Sequence, residues 1–269
     1  MKNSIGIEIV DEILRGYFPN SNDKVAQAMQ YSLFSGGKRI RPMLLLATAK
    51  AVGGKINENA KIMAAALEFI HTYSLIHDDL PCMDNDDVRR GKRSCHMQFG
   101  EAAAVLAGDA LLNLAVETLF KGSLSNKGYA KACQFMLKMS GINGMVRGQS
   151  LDLFTETKTV EEANDVALHK TGDLIRAALV CGALCAGAND EETEILDQVA
   201  IKLGICYQAV DDMLDSNKCE KSFLDVMSER ALKDYTLKLT DEIKALIAKL
   251  PYDMTFIENI VEQNLIRTK

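Results

Sequence analysis

The chain of 269 residues is long enough for one large domain or two ordinary ones, and with 48% apolar residues it can bury a sizeable core. Its net charge of −6 excludes a generally basic nucleic-acid-binding surface, so a polyanionic ligand has to be met by local cations or by metal. Seven cysteines, an odd count with no C-x-x-C pair, exclude a disulfide framework and a zinc ribbon and read as reduced, mostly core thiols.

Helix formers dominate, there are only four prolines, and alternating strand patterns are hard to find. The opening stretch MKNSIGIEIVDEILRGYF predicts an amphipathic helix with Ile5, Ile9, Val10, Ile13 and Leu14 on one face. It lacks the apolar run and small-residue cleavage site of a signal peptide, so a cytoplasmic protein is expected. The first break is SGGKRIRP, residues 35–42, where Lys38, Arg39 and Arg41 sit on a glycine turn; Arg39, between the other two cations, reads as a surface charge. Further breaks are expected at VGGKINEN (52–59), at DNDDVRRGKRS, at KGSLSNKG (121–128) and at AGANDEET (186–193). Between them there is room for about eight to eleven helices, with no linker or composition shift. The reading is a single all-α domain over residues 1–269 with a helix-rimmed interior. Several central segments are apolar nearly all round; one of them, 102–120, predicts a helix that is central or at a subunit interface. The longest apolar stretches, such as 177–188, fall well short of about 18 residues, so no membrane span is expected.

Two aspartate clusters stand out. The first, LIHDDLPCMDNDDVRRGK, carries Asp78, Asp79, Asp84, Asp86 and Asp87, followed at once by Arg89 and Arg90. On an ideal helix Asp78 and Asp84 point about 120° apart. Pro81 removes an amide donor and crowds the carbonyl of His77, so the helix must bulge or end there, which can return Asp84 toward Asp78. Asp86 and Asp87 fit a solvated loop better than Asp78 and Asp79, which closely follow apolar YSLI. The second cluster, YQAVDDMLD, stacks Asp211 and Asp215 one turn apart, with Asp212 about 100° round the helix. Carboxylates about 5 Å apart repel by roughly 3 kcal/mol at an effective dielectric near 20. In apolar surroundings such a face requires raised pKa values or cations. Ligation by carboxylates alone suits Mg²⁺, which shares its shell with phosphate oxygens. The implied ligand is a diphosphate, held between two acidic walls of one cavity by metal and by arginine forks. Phosphate-binding glycine loops of the ATP and dinucleotide types are absent from the sequence.

GGKRIRP, EFIHTYSLIHDDLPCMDNDDVRRGK, GMVRGQSLDL, HKTGDLIRAA and YQAVDDMLD occur in the order found in trans-isoprenyl diphosphate synthases. From Ser32 to Asp215 the chain resembles that family, most closely its bacterial farnesyl diphosphate synthases. The resemblance implies a single large all-α bundle around a deep central cavity and a homodimer. It also implies three Mg²⁺ ions per active site, with Mn²⁺ as a substitute. The substrates would be isopentenyl diphosphate and an allylic diphosphate. Carried over motif by motif, it assigns metal binding to Asp78, Asp79, Asp84 and Asp211, with Asp212, Asp215 and Asp152 nearby. Arg89, Lys170 and Gln208 would hold the allylic diphosphate. Lys38, Arg41, His71 and Arg90 would hold isopentenyl diphosphate, and Thr171 and Gln149 would line the reaction centre. His71 on its own would read as a core histidine, and His77 and His96 have no motif support. Tyr73 and Ser74, five and four residues before Asp78, would form the floor that stops the growing tail at fifteen carbons.

The family pattern fails after Asp215. A glycine-rich loop with G-D and G-K is replaced by SNKCEKSFLDVMSER, about fifteen to twenty residues shorter, with Lys218 or Lys221 as stand-ins for the late lysine. A geranylgeranyl diphosphate synthase and a non-catalytic subunit of a prenyl synthase are therefore the alternatives. A terpene cyclase is disfavoured by the second aspartate cluster and by GGKRIRP.

Overall fold

The structure is a computed structural model that describes residues 5–18, 21–214 and 223–266. Helices dominate the described residues, as the helix-forming composition requires. They form two compact units, the first comprising residues 1–43 and 61–124 and the second residues 44–60 and 125–269. Two long helices, α3 (Ile40–Gly53) and α4 (Glu58–Asp78), run from one unit into the other.

The first unit also contains α1 (Ile7–Arg15), α2 (Lys24–Phe34), α5 (Cys95–Phe99) and α6 (Glu101–Leu119). Asp23 starts α2 by accepting from the amides of Val25 and Ala26, two donors that helical geometry leaves unpaired. Leu14, Leu33, Leu67, Phe69 and Ile70 are fully buried in its core. A short antiparallel ribbon, β1 (Val88–Arg89) with β2 (Lys92–Arg93), interrupts the helices. Its turn, Arg90–Gly91, has positive φ at both residues (54° and 75°), the backbone that a two-residue hairpin demands. The sequence pattern missed this ribbon because two residues per strand leave no alternation to detect.

Helix α6 is long and apolar enough to cross a membrane by length and hydropathy, which the count of uninterrupted apolar residues overlooked. One face, with Ala103, Ala104, Ala107 and Leu111, is buried against α2 and α5, while Val105, Leu106 and Leu112 are exposed. It is therefore a two-faced helix of this unit rather than a fully central one.

The second unit contains α7 (Lys127–Ser140), α8 (Met145–Phe154), α9 (Val160–Ala167), α10 (Asp173–Ala186), α11 (Asp190–Leu214), α12 (Glu229–Ile247) and α13 (Thr255–Ile266). Helix α10 is central here: every residue from Ala177 to Cys185 is buried, packed against α7 and α11. Its all-round apolar sequence demands this position. Thr159 and Glu162 cap α9 reciprocally, and the left-handed Gly187 ends α10. Between α9 and α10 the chain makes one π-helical turn, Leu168–Gly172. Cys133, Cys181, Cys185 and Cys206 are buried thiols, and Cys181 is pushed well above the usual thiol range by burial.

Candidate active site

Each unit carries one set of the predicted groups. In the first unit α4 ends at Asp78, and the chain curls at once, as Pro81 requires. The amide of Asp84 donates to the carbonyl of Asp78 at 2.9 Å, and the amide of Asn85 donates to Leu80 at 3.1 Å. This curl brings the backbone of Asp84 back to Asp78, so a separation that opposes the two on a helix becomes a shared turn.

Asp79 faces inward, 2% exposed. Its Oδ1 accepts from Arg89 Nε at 2.8 Å and from Nη2, and that Nη2 also donates to Asp86 at 3.0 Å. Burial pushes the Asp79 carboxyl up from its usual value and the Arg89 fork opposes that. The two acids hold the guanidinium firmly protonated. Arg89 Nη1 makes no protein hydrogen bond among the described residues, which leaves two donors for an anion. Asp86 thus serves as a partner of Arg89.

The glycine turn is gripped from two sides. Arg90 Nη1 donates to the Gly36 carbonyl, and its guanidinium lies 2.7 Å from where a Cβ on Gly37 would stand. Lys38 is exposed, and Arg41 Nη1 lies 3.4 Å from His71 Nε2. Burial, then the charges of Arg41 and its neighbours, hold His71 well below the usual histidine range, so the imidazole is neutral at pH 7.

Arg39 is not the surface charge that its neighbours suggested: it is 4% exposed. Its Nε donates to Asp11 at 2.9 Å, Nη1 to Glu68 at 2.7 Å, and Nη2 to the Leu33 carbonyl at 2.5 Å. The left-handed backbone at Arg39 (φ 49°) turns this side chain into the core while Lys38 stays outside. Glu68 is 2% exposed and its Oε2 has no hydrogen-bond partner among the described residues, so Arg39 is its main compensation. Arg39→Met is expected to destabilise the fold by about 3–5 kcal/mol, because it strands a buried carboxylate. Arg39→Met with Glu68→Met is expected to recover most of that loss in urea denaturation.

Tyr73 is buried and meets His77 edge-on, with ring centroids 5.9 Å apart. Burial, with the charge of Asp78 second, pushes its phenol up to about 12, so it stays neutral. Ser74 donates to the His71 carbonyl at 3.0 Å.

In the second unit the π turn presents Lys170 and Thr171. Two glycines admit its backbone: a Cβ on Gly148 of α8 would lie 2.0 Å from the Lys170 nitrogen, and one on Gly204 of α11 would lie 2.3 Å from the Gly172 Cα. Lys170 Nζ donates to Asp152 at 2.6 Å. Thr171 donates to Gln208 Oε1 at 2.7 Å, and Gln208 Nε2 donates to Asp212 Oδ1 at 2.9 Å. Asp212 Oδ2 accepts from the amide of Phe223 at 2.7 Å. Gln149 Nε2 is buried without a hydrogen-bond partner among the described residues, on the helix that carries Asp152. Asp211 is half-buried at the end of α11; Asp215, Lys218 and Lys221 lie outside the described residues.

Sequence reasoning missed the support beneath the π turn. His169 Nδ1 pairs with Asp173 at 2.7 Å, and Arg176 bridges Asp173 at 2.9 Å and Asp197 at 2.7 and 2.8 Å. The available signal was Asp173 and Arg176 at i, i+3 spacing in an otherwise apolar helix, which is costly unless paired.

No group of three metal-ligating side chains is already gathered among the described residues. The donors present suit a metal nonetheless. Asp78 and Asp84 share one turn and offer oxygen only, the chemistry of an Mg²⁺ that completes its shell with water and phosphate rather than with an all-protein cage.

Residues 22–235 match the model of the Polyprenyl synthetase family. The chain is 38% identical to the farnesyl diphosphate synthase of Micrococcus luteus, covering 96% of each chain. The aligned length of 279 exceeds the chain's 269 residues, so the relative has residues that this chain lacks. It is 46% identical to geranylgeranyl pyrophosphate synthase 4 of Arabidopsis thaliana over 72% of this chain and 53% of that one. Among solved structures, an FPP/GFPP synthase from Zymomonas mobilis superposes with a TM-score of 0.88 at 32% identity, covering 96% of this chain and 95% of that one.

Proposed function

The chain belongs to the polyprenyl synthetase family, and we propose that within it this protein is a farnesyl diphosphate synthase. It joins isopentenyl diphosphate head to tail to dimethylallyl and then geranyl diphosphate. The observation that carries this reading is the turn returning Asp84 to Asp78 beside Arg89, an acid-and-arginine grip for a metal-bound diphosphate in a chain similar to such synthases from end to end. A single synthase domain over residues 1–269 is the proposed organisation, and the likeness over 96% of the chain supports it.

Asp78, Asp84 and Asp211 would hold Mg²⁺ or its substitute Mn²⁺, three ions per site by family analogy, with Asp79, Asp152, Asp212 and Asp215 in the surrounding shell. When bound, the metal draws charge from the leaving diphosphate and so favours carbon–oxygen cleavage. Arg89 offers its two Nη1 donors to that diphosphate, and Lys170 offers a further cation. Gln208 joins them near the leaving group. Lys38, Arg41 and Arg90 bind the diphosphate of the second substrate, and neutral His71 adds a hydrogen bond without adding charge. Cleavage leaves an allylic cation, stabilised by the oxygens of Thr171, with Gln149 lining the reaction centre, and shielded from water by apolar walls. The isopentenyl double bond attacks it, and a proton then passes to the departed diphosphate. Tyr73 limits the tail, with Ser74 leaving room for fifteen carbons.

The likeness to the Arabidopsis enzyme supports a second reading, a geranylgeranyl diphosphate synthase, and the shorter segment after Asp215 supports a third, a non-catalytic subunit. The cytoplasm is the proposed site of action. A homodimer is the proposed assembly, with the exposed Val105, Leu106 and Leu112 of α6 covered by a second copy. The test is diphosphate release from isopentenyl plus geranyl diphosphate. Release that depends on Mg²⁺ and stops with chelator is expected; none from the folded chain contradicts the proposal.

A further inference from the structure

Asp212 sits in an acidic cluster, yet its surroundings are those of a strut. It is 8% exposed, and each carboxylate oxygen accepts a hydrogen bond: Oδ1 from Gln208 Nε2 at 2.9 Å and Oδ2 from the Phe223 amide at 2.7 Å. Gln208 turns its NH₂ toward Asp212 and its carbonyl toward Thr171. Thr171 must then spend its single proton on Gln208, at 2.7 Å. Its oxygen is left with lone pairs and no proton to offer elsewhere. The acceptor at one end of the chain of bonds therefore sets the polarity of the hydroxyl at the other.

We propose that Asp212 is a positioning residue that acts through Gln208 to fix Thr171 as an acceptor toward positive charge developing on the allylic carbon. This inference rests on the prenyl-transfer reading above. Asp212→Asn breaks the logic at its source. An asparagine keeps one acceptor oxygen, so either the Phe223 amide or the Gln208 amide loses its partner, and Gln208 is free to flip. The Thr171 hydroxyl can then point its proton at the cation.

The test compares Asp212→Asn, Gln208→Leu and Thr171→Val with Asp211→Asn, reading kcat and KM alongside a measurement that needs no turnover: the rise in melting temperature on adding Mg²⁺ with inorganic diphosphate. Asp212→Asn is expected to lower kcat about 10- to 100-fold, as loss of orienting partners does. Both KM values should stay within about threefold, and the Mg²⁺–diphosphate stabilisation should fall clearly less than it does in Asp211→Asn. The double variant Asp212→Asn/Thr171→Val should lose no more than Thr171→Val alone, because both cut the same chain. Gln208→Leu cuts it one link away and serves if Asp212→Asn does not fold. A loss of the Mg²⁺–diphosphate stabilisation in Asp212→Asn as large as in Asp211→Asn makes it a metal ligand and overturns the proposal; so do multiplying losses in the double variant. An unchanged kcat in Thr171→Val overturns the reading of the reaction centre and the strut with it.

Discussion

Asp78→Ala and Asp211→Ala are each expected to lower kcat by about a thousandfold or more, with little change in melting temperature. The size follows from the role: a metal that neutralises charge on a leaving diphosphate contributes several kcal/mol to the transition state, and each 1.36 kcal/mol is about tenfold in rate. The small effect on the fold follows from placement. Both carboxylates are half-buried at a helix terminus, and neither is enclosed as Glu68 is. Conservative Asp→Glu variants should recover only part of the rate, since a longer arm moves the oxygens. Rates within about threefold of wild type would remove these residues from the metal site.

The second large effect is on product rather than rate. Tyr73→Ala is expected to change the main product from fifteen carbons to twenty, seen by chromatography of the dephosphorylated alcohols. The ring is buried, held edge-on by His77, which is itself fixed by the Val105 carbonyl at 3.2 Å. Removing it opens space in a packed wall at a stability cost of about 3–5 kcal/mol. Thermal melts of the variant therefore belong with the assay. An unchanged product profile from a folded Tyr73→Ala protein would move the floor elsewhere.

Much of this was legible in the sequence because the information is local. Residues 177–188 are one of the longest apolar stretches in the sequence, and the structure buries every residue from 177 to 185. Pro81 requires α4 to stop, and the hydrogen bond from Asp84 to Asp78 is the consequence. The five glycine- and polar-rich breaks separate helices where they were expected. What was illegible depends on partners far along the chain. Arg39 looks solvated between two cations in a glycine turn; only Asp11, 28 residues before it, and Glu68, 29 after it, make it a core residue. Asp79 has the same composition around it as Asp78, yet the two-residue ribbon turns Arg89 back onto Asp79. Asp212 sits in the same acidic run as Asp211, yet its oxygens accept from Gln208 and from the Phe223 amide, 11 residues on. Spacing places side chains on faces, and tertiary contacts decide which of them face a ligand and which face each other.

The most direct test is the product of the unmodified chain given isopentenyl and geranyl diphosphates with Mg²⁺. The account predicts one dominant fifteen-carbon alcohol after dephosphorylation, dependent on the metal. A dominant twenty-carbon product, or no product from folded protein, would contradict it.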